Sequence, residues 1–194
     1  MFIWLNGAFG SGKTQTTHEL NRRLPDSFVY DPENVGFMIR RNQPPSLHKP
    51  DFQNEPPWRS VNYELMMQLG ADYSGVVIGP MTLTDPQYYD EIITRLRENG
   101  ADVRHFVLYA EPETILCRLR SRFEGGNSWA ARQIPRCIEA FDSGKFEGII
   151  HTDRMTIPQT AEAVADACGL TLAPRSTKVK QLWERLRTTI GAIR

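Results

Sequence analysis

The chain has 194 residues, enough for one globular domain and a short appendage. Hydrophobic residues make up 40% and charged residues 24%, which excludes both a disordered tail and a membrane bundle. Lysine plus arginine and aspartate plus glutamate number 23 each, so the net charge is zero and offers no evident electrostatic track for nucleic acid. No apolar run approaches the roughly 20 residues that cross a bilayer. The opening MFIWLNGAFG lacks the basic region and long apolar stretch of a signal peptide. Cys117, Cys137 and Cys168 are odd in number and fit no metal spacing, as expected of a reducing, cytoplasmic interior.

Short apolar runs alternate with amphipathic segments, the pattern of an α/β domain with a parallel sheet. Phe2–Leu5 reads as an apolar strand, followed by a glycine-rich turn and a helix from Gly12 to Leu24, ended by Pro25. Further strands are predicted at Phe28–Tyr30, Gly75–Ile78, Val103–Tyr109 and Gly148–Ile150. Helices are predicted between and after them at Glu33–Arg41, Arg59–Leu69, Pro86–Asn99, Pro112–Phe123, Ser128–Ala140 and Pro158–Cys168. Strands that are apolar throughout imply a sheet covered on both faces. The stretch Arg41–Trp58 holds five prolines and no periodicity, so it is expected to be a long irregular connection with a functional role or none. Residues 1–172 are read as one domain and 175–194 as a separate terminal helix.

Gly7-Ala8-Phe9-Gly10-Ser11-Gly12-Lys13-Thr14 satisfies G-x-x-x-x-G-K-[ST], and it lies between a strand and a helix, as phosphate binding requires. Glycines let successive backbone N–H groups converge, and the helix dipole adds positive potential where phosphates sit. Lys13 can reach the β- and γ-phosphates, and the Thr14 hydroxyl can ligate Mg²⁺. The expected fold is therefore a three-layer α/β P-loop fold with a five-stranded parallel sheet, and the expected cofactors are ATP and Mg²⁺.

A guanine-reading N-K-x-D is missing from the sequence, which argues against a GTPase. The third strand ends Ile78-Gly79-Pro80-Met81 without a carboxylate, which argues against a mechanical ATPase and leaves the second Mg²⁺ ligand open. Small-molecule kinases carry arginines on a mobile lid, and Arg118 and Arg122 lie four apart on one helical face, before the Gly125-Gly126 hinge. The expected lid covers about 118–136, with Arg118 and Arg122 dispersing charge on the transferring phosphoryl group. Asp31, at the end of the second strand, faces the crevice where α/β sheets bind ligands. It is expected to receive the acceptor's proton, to cap the helix after Pro32, or to do both.

Gly7 to Thr16, Tyr30-Asp31-Pro32-Glu33, Asp51-Phe52-Gln53, Trp58-Arg59, Asn62-Tyr63, Pro80-Met81-Thr82 and Asn127-Ser128-Trp129-Ala130-Ala131 resemble the bacterial tunicamycin-resistance ATP-binding proteins. The resemblance runs from residue 1 to about 170. It implies a nucleoside-kinase-like fold and a role in resisting tunicamycin, a uridine-containing antibiotic. Phosphotransfer to a hydroxyl of such a molecule fits that fold, and ATP-dependent sequestration of the drug without phosphorylation is the alternative. In the middle segment, Phe37, Arg40, Trp58, Arg59 and Tyr63 are candidates for substrate contact, because uracil stacks on aromatic rings and oxygens accept from guanidinium groups. Phe37 and Tyr63 fit the core equally well. Thr152 and Asp153, after the fifth strand, are candidates for the loop that contacts the nucleotide base.

Residues 175–194 carry six basic side chains, one acid and an apolar stripe including Trp183. Such a helix packs on its own domain, across a homodimer, or in the interface of a membrane as a peripheral contact.

Overall fold

The computed structural model describes residues 1–121, 128–177 and 188. Arg122 and nearly all of the terminal helix expected at 175–194 therefore lie outside the described residues. The elements in chain order begin β1 (Phe2–Asn6), α1 (Lys13–Arg23), β2 (Ser27–Val29), α2 (Glu33–Arg41), α3 (Pro56–Asp72) and β3 (Val76–Pro80). Then α4 (Pro86–Tyr89) passes through a π turn, Asp90–Thr94, into α5 (Arg95–Glu98). The chain continues with β4 (Val103–Tyr109), α6 (Pro112–Arg120), α7 (Trp129–Arg132), α8 (Ile134–Asp142), β5 (Ile149–His151) and α9 (Ile157–Ala167).

The five strands form one sheet in the order β2-β3-β1-β4-β5, and every pairing is parallel. β1 lies at the centre, with Phe2 beside Val77 of β3 and Val103 of β4. All five of its residues are at most 2% exposed, which explains a strand with no polar face before Asn6. Alternation sends its side chains into two separate cores. Phe2 and Trp4 join the cluster that includes Val35, Trp58, Met66, Ile92 and Phe141. Ile3 and Leu5 join Leu20 of α1 and Ala161 and Val164 of α9 on the other face.

The departures from expectation have local causes. Pro56 and Pro57 occupy the first turn of α3, where a missing N–H costs nothing, so α3 starts three residues before its predicted place. The rest of the proline-rich connection contains two short 3₁₀ turns, Pro45–Leu47 and Phe52–Asn54. The helix predicted over Ser128–Ala140 divides into α7 and α8, because Pro135 has no N–H with which to continue α7.

Below the phosphate loop, β1 and β4 are joined by a buried polar pair. The His105 Nδ1 lies 3.1 Å from the Glu147 carbonyl, and Nε2 lies 3.2 Å from the Asn6 amide nitrogen. A carbonyl only accepts, so Nδ1 carries the proton and Nε2 accepts from Asn6; the ring is neutral. Burial pushes the His105 pKa down to about 4. Between that value and the unfolded value near 6.5, the unfolded chain holds more protons, so the neutral ring's contribution is complete above the unfolded value. It declines as pH falls toward the folded value. Urea denaturation should show about 3 kcal/mol of stability lost from this group between pH 7 and pH 4. His105→Gln should flatten that part of the profile; an unchanged slope in the variant would place its source elsewhere.

Candidate functional site

The phosphate loop leaves the end of β1 at Asn6, whose side-chain oxygen accepts from the Gly7 N–H at 2.8 Å. A β-carbon on Gly7 would stand 2.6 Å from the Ser11 Oγ and 2.7 Å from the Leu108 carbonyl, so only glycine fits there. Gly12 takes the left-handed conformation (φ 104°) and turns the chain into α1. Lys13 Nζ donates to the Gly7 and Ala8 carbonyls at 2.9 and 3.1 Å, and it lies 5.3 Å from the centre of the Phe9 ring. Ser11 is buried and its hydroxyl has no hydrogen-bond partner among the described residues.

A cleft of about 130 Å³ opens beside this loop, lined by Phe9, Gly10, Gly12, Lys13 and Thr14 and closed by Glu33, Pro80 and Thr82. It sits at the carboxyl ends of β1 and β3, where open α/β sheets place ligands. The donor set suits a triphosphate: a left-handed glycine at the head of a helix, a lysine, and the unpaired Ser11 hydroxyl. It also suits Mg²⁺, which is held by few protein oxygens together with phosphates and water. Thr14 and Glu33 share the cleft. Among the described residues no cluster of three metal-ligating side chains exists, so a metal held by protein alone does not fit here.

The opposite wall is tied to the loop by a chain of hydrogen bonds. Thr82 Oγ1 donates to the Gly7 carbonyl at 2.8 Å, and Gln53 Nε2 donates to the Thr82 carbonyl at 2.9 Å. Arg59 in turn donates to the Gln53 carbonyl at 2.6 Å and pairs with Glu91. Gln53, Arg59 and Thr82 are all buried. The Gly7 carbonyl thus accepts from both Lys13 and Thr82, so the loop and the acceptor-side segment share one atom.

Asp31 begins α2: its Oδ1 accepts from the Glu33 N–H at 3.0 Å and its carbonyl from the Asn34 N–H at 3.1 Å. The capping role is therefore present, and the residue that lines the cleft is Glu33, two positions on. The sequence carried a signal for it, a second carboxylate in the first turn after Asp31-Pro32, but that residue also reads as an ordinary helix start. The turn is held from beneath by Trp58, whose indole N–H donates to the Pro32 carbonyl at 2.9 Å.

The residues expected at the acceptor divide accordingly. Trp58 is fully buried against Phe52, and Arg59 is buried with its guanidinium 4.3 Å from the Tyr88 ring. Tyr63 is buried beneath Arg95, 3.7 Å from its ring. These three are buried in the scaffold beside the cleft and present no open surface for stacking. Arg40 donates to the Lys49 and Pro50 carbonyls and lies over Phe52, fastening the proline-rich segment. Phe37 is half-buried, 6.1 Å from the Phe52 ring.

Arg118 and Thr152, assigned separately to the lid and the base loop, meet. The Arg118 guanidinium donates to the Thr152 carbonyl at 2.6 Å, to its hydroxyl at 3.1 Å and to the Ser11 carbonyl at 3.2 Å. It braces the back of the phosphate loop against the end of β5 in this structure, instead of reaching into the cleft. Asp153 accepts from the Glu111 N–H at 3.0 Å, which shapes the same loop. Arg122, the other lid arginine, lies outside the described residues.

Five parallel strands, helices on both faces and a phosphate loop at the central strand define a P-loop protein of the kinase-like class. A family model described as an AAA domain matches residues 2–142. The tunicamycin resistance protein of Deinococcus radiodurans is 30% identical, with a TM-score of 0.76 over 90% of this chain and 99% of its own. The chain belongs to this AAA-domain family of P-loop proteins and, within it, with the tunicamycin resistance proteins. A sugar kinase from Janibacter sp. HTCC2649 matches at 20% identity and a TM-score of 0.63, over 88% of this chain and 95% of that one. Shikimate kinase from Bacteroides thetaiotaomicron matches at 17% and 0.59, over 88% and 99%. These two share the fold. No curated protein sequence gives a significant match.

The shared Gly7 carbonyl makes a testable demand. Thr82→Val keeps the side-chain volume and removes the donor, so it should destabilise the fold by about 1 kcal/mol in urea denaturation. Thr82→Ser should restore most of the loss, and a valine variant as stable as the parent would show the bond to be dispensable.

Proposed function

We propose that the chain is an ATP-dependent phosphotransferase acting on a hydroxyl of a nucleoside-type small molecule, tunicamycin or a relative of it. The observation that carries this reading is the convergence of Lys13, Thr14 and Glu33 on one cleft at the mouth of the phosphate loop. The ATP triphosphate lies along the loop amides, and Lys13 exchanges the Gly7 and Ala8 carbonyls for phosphate oxygens. The Thr14 hydroxyl would help to hold Mg²⁺, which would supply charge neutralisation on the phosphates. The acceptor oxygen forms the new bond to the γ-phosphorus as the bond to the β-phosphate oxygen breaks and ADP leaves. The acceptor's proton passes to Glu33, whose place in the cleft suits it better than that of Asp31, which holds the Glu33 N–H. Arg118 keeps the base end of the nucleotide site in register through Thr152.

Incubating tunicamycin with the protein, Mg²⁺ and ATP should add one phosphoryl group to the drug by mass spectrometry. Tight binding with unchanged mass would replace this reading with sequestration. Glu33→Gln should lower turnover by roughly 10²–10⁴-fold while sparing ATP affinity, as removal of a general base does. Asp31→Asn tests the alternative: if it alone abolishes turnover while Glu33→Gln is active, the base is Asp31.

A further inference from the structure

Two of the aromatic residues suited to ring recognition, Trp58 and Tyr63, are sealed in the scaffold, and Phe37 is half-buried against Phe52, which turns attention to the exposed aromatic rings. Of the described tryptophans, Trp4 and Trp58 are fully buried and Trp129 is 53% exposed. Its ring centre lies 4.7 Å from that of Phe9, at 70° between planes. Phe9 is part of the phosphate loop itself and lines the reaction cleft with Lys13, Thr14 and Glu33. The two rings therefore form a continuous aromatic edge from the cleft to open water.

The backbone at Trp129 belongs to the short helix α7. Ser128 caps α7 by accepting the Ala131 N–H at 3.2 Å, and Ala130 and Ala131 are buried beneath the helix. A short helix anchored by two alanines with its indole left in water keeps the aromatic face turned away from the core. An isolated exposed aromatic is unremarkable. One in edge-to-face contact with a ring of the phosphate loop, beside a cleft with convergent polar groups, has the make-up of a ligand wall.

We propose that Trp129, with Phe9 set edge-to-face against it, forms the platform on which a ring of the phosphoryl acceptor stacks, a ring with an apolar face in a molecule that carries a hydroxyl. A nucleobase and a sugar ring both offer such a face. The platform holds either so that the hydroxyl reaches past Phe9 toward Lys13 and Glu33. Which molecule is the acceptor rests on the phosphotransfer reading above; the platform itself is tested by binding alone.

Calorimetric titration of the full chain with tunicamycin, uridine and N-acetylglucosamine separates the cases. Trp129→Leu keeps an apolar side chain and removes the flat face; it should weaken binding about tenfold, and Trp129→Phe should stay within about threefold of the parent. ATP affinity should be unchanged in both variants, which shows the phosphate loop to be intact. Loss confined to uridine assigns the stacked ring to the base, and loss confined to N-acetylglucosamine assigns it to the sugar. Parental affinity of Trp129→Leu for all three ligands would overturn the platform and make Trp129 a packing residue, as would failure of the parent chain to bind any of them. If Trp129-dependent binding is seen but the drug gains no phosphoryl group, the platform stands and the phosphotransfer reading falls.

Discussion

The side-chain amide of Asn6 holds together the three backbones on which the site depends. Its oxygen accepts from the Gly7 and Leu83 N–H groups, and its nitrogen donates to the Leu83 carbonyl and to His105. One residue thereby joins the start of the phosphate loop, the chain leaving β3 and the centre of β4. Asn6 is fully buried, where unpaired polar atoms are costly, and both ends of its amide are matched. The loop is thus fixed at its root, and its tip is held by the Ser11 N–H on the Ala8 carbonyl and by Arg118 on the Ser11 carbonyl. Thr82, one residue before Leu83, extends the same anchorage to the Gly7 carbonyl.

The arginines show how charge is divided between scaffold and chemistry. Arg40, Arg59 and Arg118 each donate to backbone carbonyls, and Arg59 also pairs with Glu91. Arg59 is buried, so breaking its pair would leave an uncompensated charge in the interior; that cost makes the pair a rigid strut, whatever its net stabilisation. Guanidinium groups suit this work because a planar fork can engage several oxygens at fixed angles. Lys13 is different. Its ammonium sits on two loop carbonyls beside a ring, on a flexible stem that can exchange those partners for phosphate oxygens.

The central architecture was legible because its signals are local. β1 has no polar residue before Asn6, the loop motif occupies consecutive positions, and Pro112 and Pro158 mark helix starts. The acceptor side was less legible for a physical reason. Tryptophan, tyrosine and arginine are the residues of both ligand walls and buried struts, and only tertiary contacts decide between them. Trp58 offers an indole that either stacks a base or donates to a carbonyl, and Pro32 supplies the carbonyl. Trp129 is one letter of a motif in the sequence, and only the fold shows its exposure and its contact with Phe9. Glu33 was hidden by its neighbour: Asp31 at a strand end is the more conspicuous carboxylate, yet helix geometry turns the later residue into the cleft.

The size of the cleft constrains how such a protein chooses its acceptor. Pockets that enclose drug-sized ligands measure about 300–1,000 Å³. The cleft beside Lys13 is about 130 Å³, well below that range. On the phosphotransfer reading, the reacting end of the acceptor is handled inside, by residues that the P-loop fold supplies, and the remainder is recognised outside it. Outside the cleft the chain offers the edge formed by Phe9 and Trp129 and the segment fastened by Arg40, Gln53 and Arg59. These surfaces come from loops and short helices laid over a fixed sheet, and they are coupled to the phosphate loop through Phe9 itself and through the Gln53–Thr82–Gly7 hydrogen bonds. The sheet beneath them is the part of the architecture that the chain shares with the sugar and shikimate kinases at 20% and 17% identity, and a shared fold leaves the surfaces laid over it free to differ.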